Sequence, residues 1–353
     1  MSISRLGISW AALKLFCSEH EDKLNGLTTK EVQEKIIKPA TAQIKGPYSD
    51  LHPEMFQKAN VFVSHAWRYN FLKDLIPALE SWIAMQVSMA EVFLWIDIFT
   101  VSQHADPPEH QDSEEEARNF QIFADGFELA LQDIGRAVIV LSPWNRPEWI
   151  FRIWCLFEFY VMMRFCIPFV FVLSREQHGS FIKQLGDEGN DFLAMVSTLD
   201  MEKAEAFSDY DKRQIKQLVR DHLGGYSKLN ESVIEAIREF CINEAVRAIS
   251  TMTEEEKASN NLLFNSAMMI STVGDLDTAL QYYSEDLQLK IRRLGPSHIS
   301  VAMTKGNMGF VYKQLGDLSQ ARKLFEEVHN IFVQNLGPDH PHSKQAARAL
   351  EQF

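Results

Sequence analysis

The first half of the chain alternates apolar runs with amphipathic stretches. Four runs rich in β-branched and aromatic residues have the length of strands: Val61–Val63, Val92–Ile98, Ala137–Leu141 and Phe169–Leu173. Their nearly unbroken apolar character is typical of strands that are buried on both faces of a parallel sheet. A fifth strand is expected near Met195–Leu199.

Between these runs, apolar residues return at helical spacing. Phe71–Met85 lies between the first two runs, Asn119–Asp133 precedes the third, and Trp149–Arg164 separates the third from the fourth. The first two stretches are apolar on one face, whereas the last is apolar all round and is therefore expected to be largely buried. The alternation predicts a doubly wound α/β domain around a parallel sheet, of the flavodoxin-like kind.

The last part of the chain repeats itself at an interval of 42 residues. Gly274-Asp275 recurs as Gly316-Asp317, Ala279 recurs as Ala321, and Leu294-Gly295-Pro296 recurs as Leu336-Gly337-Pro338. Each unit has the pattern of a helix, a tight turn and a second helix. A fixed period of this size indicates an all-α helical-repeat domain. Two units are visible, so a flanking helix at Lys344–Gln352, the preceding helices or a partner must cover their ends.

These patterns divide the chain into four predicted segments. Residues 1–57 form an N-terminal helical or irregular extension, with a helix at Ser9–Phe16 and a helix start at Thr28. The α/β domain covers 58–200, a helical connector covers 201–258, and the repeats cover 259–353.

The charge of the chain is concentrated in one place. The 35 Lys and Arg residues and the 48 Asp and Glu residues give a net charge of −13. The stretch from Asn261 to Phe353 has nine basic and nine acidic residues and is neutral, whereas Val101–Asp133 has nine acidic residues and one base, Arg118. That window alone carries −8. The net negative charge argues against binding to nucleic acid or to an anionic membrane. The acidic window 101–133 is a candidate docking surface for a basic partner.

Cysteine usage and hydropathy indicate a reduced cytoplasmic protein. The four cysteines are scattered without any CxxC pair, so neither a metal site nor a disulfide framework is expected. Cys155 lies in an apolar helix and is interpreted as an inert buried thiol. No stretch approaches the roughly 18 uninterrupted apolar residues that a membrane span needs.

One carboxylate stands in an unusual setting. In the apolar stretch from Trp149 to Met163, only Arg152 and Glu158 are charged. A lone buried carboxylate is costly unless it is paired, hydrogen-bonded or open to a cleft. Trp154 lies one helical turn before Glu158 and is expected to wall a pocket there. The alternative is a structural role, either an ion pair with an arginine or a helix cap on a neighbouring element.

The ends of the predicted strands supply further candidates. Ligands bind beyond the carboxyl ends of parallel strands, and here those ends carry Ser64 and Trp67, Asp97, and Ser142. Taken alone, Ser64 is more often a turn residue, and His65 a structural histidine, than a catalytic residue. A phosphate-binding loop, a GxGxxG motif and a GxSxG motif do not occur in the sequence.

Several of these residues carry a resemblance to a known family. FVSHAW at 62–67, FLWID at 93–97, VIVLSP at 138–143 and WCLFE at 154–158 follow the order and spacing of a TIR domain over about 58–174. In TIR domains that cleave NAD⁺, the glutamate of the last motif is catalytic, and the resemblance assigns that role to Glu158. It assigns Ser64 and Trp67 to the substrate site, with NAD⁺ as a substrate and not a cofactor. The GDxxxA and LGPxH patterns at the end of the chain resemble kinesin-light-chain-type tetratricopeptide repeats.

The chain also departs from the TIR pattern. Arg68-Tyr69-Asn70 stands where an acidic dipeptide often follows the first strand, and the loop after the second strand, Thr100–Arg118, is long and acidic. An acidic loop over the site repels the diphosphate of NAD⁺ unless it swings aside or binds a cation. It suits docking onto a basic surface better, although acidic residues in the first turn of a helix are also ordinary.

Three hypotheses for function follow. The first is a signalling protein that self-associates through its TIR-like domain and binds a protein partner through the repeats at 259–353, since helical-repeat surfaces suit that task. The second is an NAD⁺ glycohydrolase that uses Glu158 and is regulated by assembly. The third is a repeat-based cargo adaptor, against which the lack of an N-terminal heptad segment speaks.

Overall fold

The computed structural model of the protein describes residues 3–86, 91–104, 114–188, 203–205, 209–223 and 226–352. The chain forms two compact units. The first comprises Met1–Gly179 and Thr198–Glu235, and the second comprises Ser180–Ser197 and Ala236–Phe353.

The first unit is built on a sheet of six strands. In chain order they are β1 (Leu6–Ser9), β2 (Phe56–Lys58), β3 (Val61–Ser64), β4 (Phe93–Trp95), β5 (Ala137–Val140) and β6 (Phe169–Val172). Their order across the sheet is β2-β1-β4-β3-β5-β6. Strands β4, β3, β5 and β6 are parallel, with Phe62 paired to Ala137 and Ala137 paired to Phe169. The predicted mixed α/β domain with a mainly parallel sheet is thus confirmed.

The N-terminal segment adds two strands that the sequence did not predict. β1 runs antiparallel to β4, with Ile8 paired to Leu94, and β2 runs antiparallel to β1. A Cβ atom on Gly7 would lie 2.7 Å from the carbonyl carbon of Phe93, so β1 approaches its neighbour closely only because residue 7 is glycine. Strands of three and four residues are too short to give a readable alternation. The fifth strand that was expected near 195–199 lies outside the described residues.

The predicted helices occupy the places that periodicity indicated, with shifted ends, and the helix Arg175–Glu188 is an addition that the sequence did not predict. The longer helices in the described part are α1 (Trp10–Glu19), α2 (Ile76–Ala84), α3 (Glu114–Ile134), α4 (Ile153–Arg164), α5 (Arg175–Glu188), α6 (Asp209–Leu223), α7 (Tyr226–Thr251), α8 (Leu262–Thr272), α9 (Leu276–Leu294), α10 (Ile299–Gln314), α11 (Leu318–Leu336) and α12 (Pro341–Leu350). Short helical turns are Glu21–Leu24, Thr29–Val32, Gln33–Ile37, Lys38–Ala40, Tyr48–Leu51, Pro53–Met55, Phe71–Leu75, Asp97–Thr100, Glu148–Phe151 and Glu254–Ser259.

The apolar helix between β5 and β6 starts later than its sequence pattern indicates. Glu148–Phe151 forms a 3₁₀ turn, Arg152 has an extended backbone with φ −106° and ψ 118°, and α4 begins only at Ile153. The extended residue changes the direction of the chain. The positions of the Trp149 and Arg152 side chains relative to Glu158 therefore cannot be read from helical spacing. As predicted, α4 itself is largely buried.

The second unit contains the repeat helices α8 to α12. Asp275 and Asp317 cap α9 and α11 with the same backbone angles, φ −80° and ψ 73°, and their side chains accept hydrogen bonds from Thr278 and Gln320 amides. Gly274 and Gly316 have φ of 87° and 82°, a conformation that favours glycine. Identical turns thus recur 42 residues apart, and the predicted helical-repeat region is confirmed.

Candidate functional site

Glu158 is buried in the middle of α4 and is held by a serine from the sheet. Ser64, the last residue of β3, donates a hydrogen bond from Oγ to Oε2 of Glu158. The indole Nε1 of Trp149 donates to the same Oγ over 2.7 Å. Because the serine oxygen accepts the indole proton, its own proton is directed to the carboxylate. The chain from Trp149 through Ser64 to Glu158 therefore fixes the orientation of the carboxyl group.

The surroundings of Glu158 disfavour its charge. Burial raises the pKa of the carboxyl group to about 8, and the carboxylate of Asp97 raises it as well. The hydrogen bond from Ser64 and the charge of Arg152 act in the opposite direction. The group is accordingly protonated at neutral pH and ionises in mildly alkaline solution.

Asp97 links the ends of β3 and β4. Its Oδ2 accepts a hydrogen bond of 2.6 Å from Nε1 of Trp67, and its Oδ1 accepts one of 2.8 Å from the amide of Ile98. The guanidinium of Arg152 lies over the Trp67 ring, 4.7 Å from its centroid. Such stacking of a cation on an indole is favourable, so Trp67 is held by an acid at its edge and a base on its face.

His65 lies beside this group. The Nε2 atom of His65 is 3.9 Å from Oδ1 of Asp97, which is beyond hydrogen-bond distance. Among the described residues, this Nε2 atom has no hydrogen-bond partner. Burial lowers the pKa of His65; Arg152 acts in the same direction and Asp97 opposes them. The lowered pKa of His65 favours the neutral imidazole. Sequence reasoning weighed His65 only as a structural histidine.

A small cleft of about 110 Å³ opens next to these residues. Of the described residues it is lined by Ala66, Trp67, Arg68, Glu148, Phe151, Arg152, Trp154 and Glu205. Arg68 and Glu148 form an ion pair of 3.6 Å on its rim. Trp67 and Trp154 thus wall the cleft, whereas Ser64 and Glu158 lie outside this lining.

Ser142 and Trp154 have other partners. Oγ of Ser142 donates a hydrogen bond of 2.6 Å to Oδ1 of Asp74. Nε1 of Trp154 donates one of 3.1 Å to Asp211, and its ring packs against the aromatic rings of α3. The structure brings Ser64 together with Glu158 and Trp67 together with Asp97. Ser142 belongs to neither pair, because its hydroxyl group is bonded to Asp74.

Tyr69, which follows β3, is hydrogen-bonded to residues at and after the end of β5. Its hydroxyl donates to the carbonyl of Val140 over 3.0 Å and accepts hydrogen bonds from the amides of Ser142 and Trp149. Sequence reasoning missed Tyr69 and Trp149. The tryptophan gave a usable signal, because a polar indole in an otherwise apolar stretch needs a partner for its N–H.

Metal ligands are not grouped in the described part of the chain, where no cluster of three or more His, Cys, Asp or Glu side chains could hold an ion. The thiol of Cys155 is buried, which raises its pKa, and Sγ donates to the carbonyl of His65 over 3.4 Å. Among the described helices, none is long and apolar enough to cross a membrane.

The repeat unit has a cavity of its own. Its volume is about 190 Å³, and it is bordered by residues of α8, α10, α11 and α12. Met303 and Phe310, on α10, line it while being 50% and 48% exposed. Large apolar side chains exposed together at a concave place mark binding surfaces.

Comparison with known proteins gives a family-model match in the C-terminal region. A search of curated proteins found no match. Thirty-seven chains of solved structures match, including the crystal structure of BtubC (BKLC) from P. vanneervenii, with 16% identity, coverage of 68% of this chain and 77% of that chain, and a TM-score of 0.28. The family model described as "Tetratricopeptide repeat" matches residues 258–332 and 300–352. The C-terminal region of this chain therefore consists of tetratricopeptide repeats, which implies protein–protein interaction there.

Proposed function

We propose that this chain is an interaction protein whose tetratricopeptide repeats bind an extended peptide segment of a partner and whose TIR-like domain self-associates. The observation that carries the proposal is the exposure of Met303 and Phe310 at the repeat cavity. An exposed apolar side chain in a concavity gains free energy only when a ligand covers it. A repeat array that contacts only its neighbours leaves such a surface open for a partner.

A double variant and a matched control variant test the repeats. A random peptide library displayed on phage is panned against the full chain, against Met303→Asp/Phe310→Asp, and against Leu318→Asp as a control. Leu318 is 54% exposed at the start of α11 and is not among the described residues that line the cavity. Enrichment on the wild type and on the control, but not on the double variant, supports the proposal. Equal recovery on all three proteins contradicts it.

Self-association is proposed to use the acidic window 101–133. Of its nine acidic residues, only Asp125, Glu128 and Asp133 have described side chains. The same helix, α3, exposes Ile122 and Leu129, which lie seven positions apart and hence on one face. A face that combines apolar residues with acidic neighbours suits contact with a basic surface on a second copy of the chain.

Sedimentation of the full chain over a range of concentrations and salt tests this part. The proposal expects an oligomer that Ile122→Asp/Leu129→Asp reduces to monomer and that salt weakens. The matched control is Leu15→Asp, since Leu15 is also exposed but lies on α1. A monomer at every concentration, or an oligomer unaffected by the α3 variant, would exclude this surface.

A second candidate function is cleavage of NAD⁺, and the Ser64–Glu158 hydrogen bond favours it. In hydrolysis, the bond between C1′ of the ribose and the nicotinamide nitrogen breaks, and its electron pair goes to the nitrogen. Water adds to C1′, releasing a proton and giving ADP-ribose and neutral nicotinamide. An oriented carboxylate stabilises the positive charge that develops on the ribose. Trp149 and Ser64 orient Glu158 in this way.

The size of the cleft limits how the substrate binds. Pockets that hold a whole organic ligand span roughly 300–1,000 Å³. A cleft of about 110 Å³ holds one ring, so the nicotinamide is the part of NAD⁺ proposed to enter beside Trp67, with the remainder outside. Because Glu158 does not line the cleft, contact between its carboxylate and the ribose requires the cleft to open toward Ser64 when NAD⁺ binds. The guanidinium of Arg152 stacks on Trp67 and is placed to attract a diphosphate.

Nicotinamide release from NAD⁺ by the purified full chain tests the enzyme hypothesis. The wild type is compared with Glu158→Gln, Ser64→Ala and the control Glu80→Gln, which changes an exposed carboxylate on α2. Turnover in the wild type and control that falls about 100-fold or more in Glu158→Gln supports a catalytic carboxylate. Release that survives Glu158→Gln would exclude this residue, and the absence of release from wild type in monomeric and assembled samples would exclude the enzyme.

A further inference from the structure

The first repeat can be compared with the second, position by position, to infer what binds in the 190 Å³ cavity of the repeat unit. With an offset of 42 residues, Phe264 corresponds to Gly306, Tyr283 to Phe325, and Lys290 to Phe332. In the first repeat the ring of Phe264 packs edge-on against Tyr283, with centroids 5.8 Å apart, and lies 4.4 Å from Nζ of Lys290. The chain thus fills this position of the first repeat with its own phenylalanine.

The second repeat leaves the corresponding position open. A Cβ atom on Gly306 would meet only Cγ2 of Val328, at 3.9 Å. The 190 Å³ cavity is bordered there by Gly306 together with Phe325 and Phe332, the counterparts of the residues that enclose Phe264. We call this part of the surface the Gly306 cavity. Position 306 therefore contributes no ring to this cavity, and the edge-on contact with Phe325 is made by Phe310, with centroids 5.0 Å apart.

The first repeat also contacts a peptide backbone beside its phenylalanine. Nδ2 of Asn265 donates a hydrogen bond of 2.6 Å to the carbonyl of Leu185, and the amide of Asn261 donates one of 3.2 Å to the carbonyl of Gly186. The counterpart of Asn265 is Asn307, which borders the cavity and hydrogen-bonds Tyr283. An asparagine amide has further donor and acceptor capacity beyond one such bond.

From this correspondence we propose that the Gly306 cavity binds an aromatic side chain, of the size of phenylalanine, from a partner peptide, with Asn307 hydrogen-bonding the adjacent backbone. The proposal rests on the peptide-binding function proposed above and names the chemistry of its anchor. The rings of Phe310, Phe325 and Phe332 around the cavity favour an aromatic guest over an aliphatic one, because edge-to-face aromatic pairs add to the energy of burial. Buried aromatic anchors dominate the energy of most interfaces.

Substitutions at one position test the proposal. Gly306→Ala adds a single carbon into open space and leaves the cavity available, whereas Gly306→Phe fills it as Phe264 fills the first repeat. Peptides from a phage-displayed random library are selected on the full wild-type chain, and a selected peptide and its Phe→Ala, Tyr→Ala or Trp→Ala version are measured by fluorescence polarisation. We expect one aromatic position in the selected peptides, equal or better binding to Gly306→Ala, and a loss of roughly 30-fold or more both on Gly306→Phe and on removal of the aromatic side chain.

The outcomes separate this inference from the function on which it rests. If no peptides are selected on the wild type, the peptide-binding function fails and the inference with it. If peptides are selected that lack an aromatic position, or that bind Gly306→Phe as tightly as the wild type, the inference is overturned and peptide binding stands. The aromatic→alanine peptide uses wild-type protein, so it decides the matter even where Gly306→Phe unfolds.

Discussion

Ser64 and Glu158 form a hydrogen bond between the end of β3 and the middle of α4, although they are 94 positions apart in the chain. The bond crosses the point in the sheet where the strand order reverses, between β3 and β5, which is where ligands bind in open α/β sheets. Trp149 supports it from the other side. The lone carboxylate of the apolar helix therefore has a polar partner at a place suited to chemistry.

The raised pKa of Glu158 predicts how stability depends on pH. In the unfolded chain the carboxyl group ionises at its ordinary pKa of 4.5, and in the folded protein at about 8. Between these values the native state binds more protons than the unfolded state, so the stabilising contribution declines as pH rises and is lost above pH 8. Glu158→Gln lacks this dependence. The difference in unfolding midpoint, wild type minus variant, should fall between pH 5 and pH 9.

Tryptophan fluorescence is the appropriate probe for this measurement. All seven tryptophans, the last being Trp154, belong to the first unit, so the signal reports the unfolding of that unit. Glu80→Gln serves as the control, because Glu80 is exposed. A difference between wild type and Glu158→Gln that stays constant or rises over this range would contradict the assigned pKa direction.

The same ionisation predicts the pH dependence of the proposed cleavage of NAD⁺. Stabilisation of positive charge requires the ionised carboxylate, which is the minor form at pH 7. The rate should therefore increase about tenfold for each pH unit below the pKa and level off above about pH 8. Initial rates of nicotinamide release across this range measure it. A rate that falls with rising pH would indicate that Glu158 acts as a proton donor instead.

Much of the α/β unit was accessible from the sequence, because buried parallel strands are nearly pure apolar runs. β3, β5 and β6 lie within one residue of their predicted ends, and Glu158 was identified because a charge in such a helix is conspicuous. The 42-residue period likewise located both Gly-Asp turns. These features are local or periodic, so a single sequence contains them.

The remainder of the site depends on contacts between distant segments. Arg152 acts on Glu158 because an extended residue stands between the 3₁₀ turn and α4, a break that helical spacing does not reveal. The pairing of Ser142 with Asp74 joins residues 68 positions apart. Neither β1 nor β2 has enough residues to show an alternating pattern, and their positions follow from pairing with strands already in place.

The close approach of β1 to β4 predicts that Gly7 is needed for stability. A Cβ atom at residue 7 would lie 2.7 Å from the carbonyl carbon and 2.8 Å from the carbonyl oxygen of Phe93, which are backbone atoms that move only with the strand. Gly7→Ala should lower the stability of the first unit by about 1–3 kcal/mol. The measurement is urea unfolding followed by tryptophan fluorescence.

Gly179→Ala is the matched control for Gly7. Gly179 lies in α5 with no atom within 4 Å of its would-be Cβ, so the same substitution should stabilise by about 0.5–1 kcal/mol. If Gly7→Ala is as stable as the wild type, β1 is not held as closely to β4 as the geometry indicates.

At equivalent buried positions, the first repeat has a hydrogen-bonded ion pair and the second has apolar side chains. Substitutions in the buried ion pair are predicted to give the largest stability changes in the second unit. Lys290 Nζ lies 2.8 Å from Asp286, which also accepts a hydrogen bond of 2.7 Å from Thr304; the equivalent residues of the second repeat are Val328, Phe332 and Ala346, in an apolar cluster. Asp286→Ala leaves a buried ammonium group without its counter-ion and should cost about 3–5 kcal/mol.

Replacing the whole first-repeat network by apolar residues should cost far less than breaking it. Asp286→Val, Lys290→Met and Thr304→Ala together are expected to be neutral or stabilising by about 1–4 kcal/mol, because no unpaired charge is left. Methionine is used since a phenylalanine at 290 would meet Phe264, whereas Phe332 faces Gly306. Circular dichroism measures helix unfolding, and Glu326→Ala, at an exposed ion pair with Arg322, should change stability by less than about 1 kcal/mol. A triple variant as unstable as Asp286→Ala would mean that the ion pair itself holds the first repeat together.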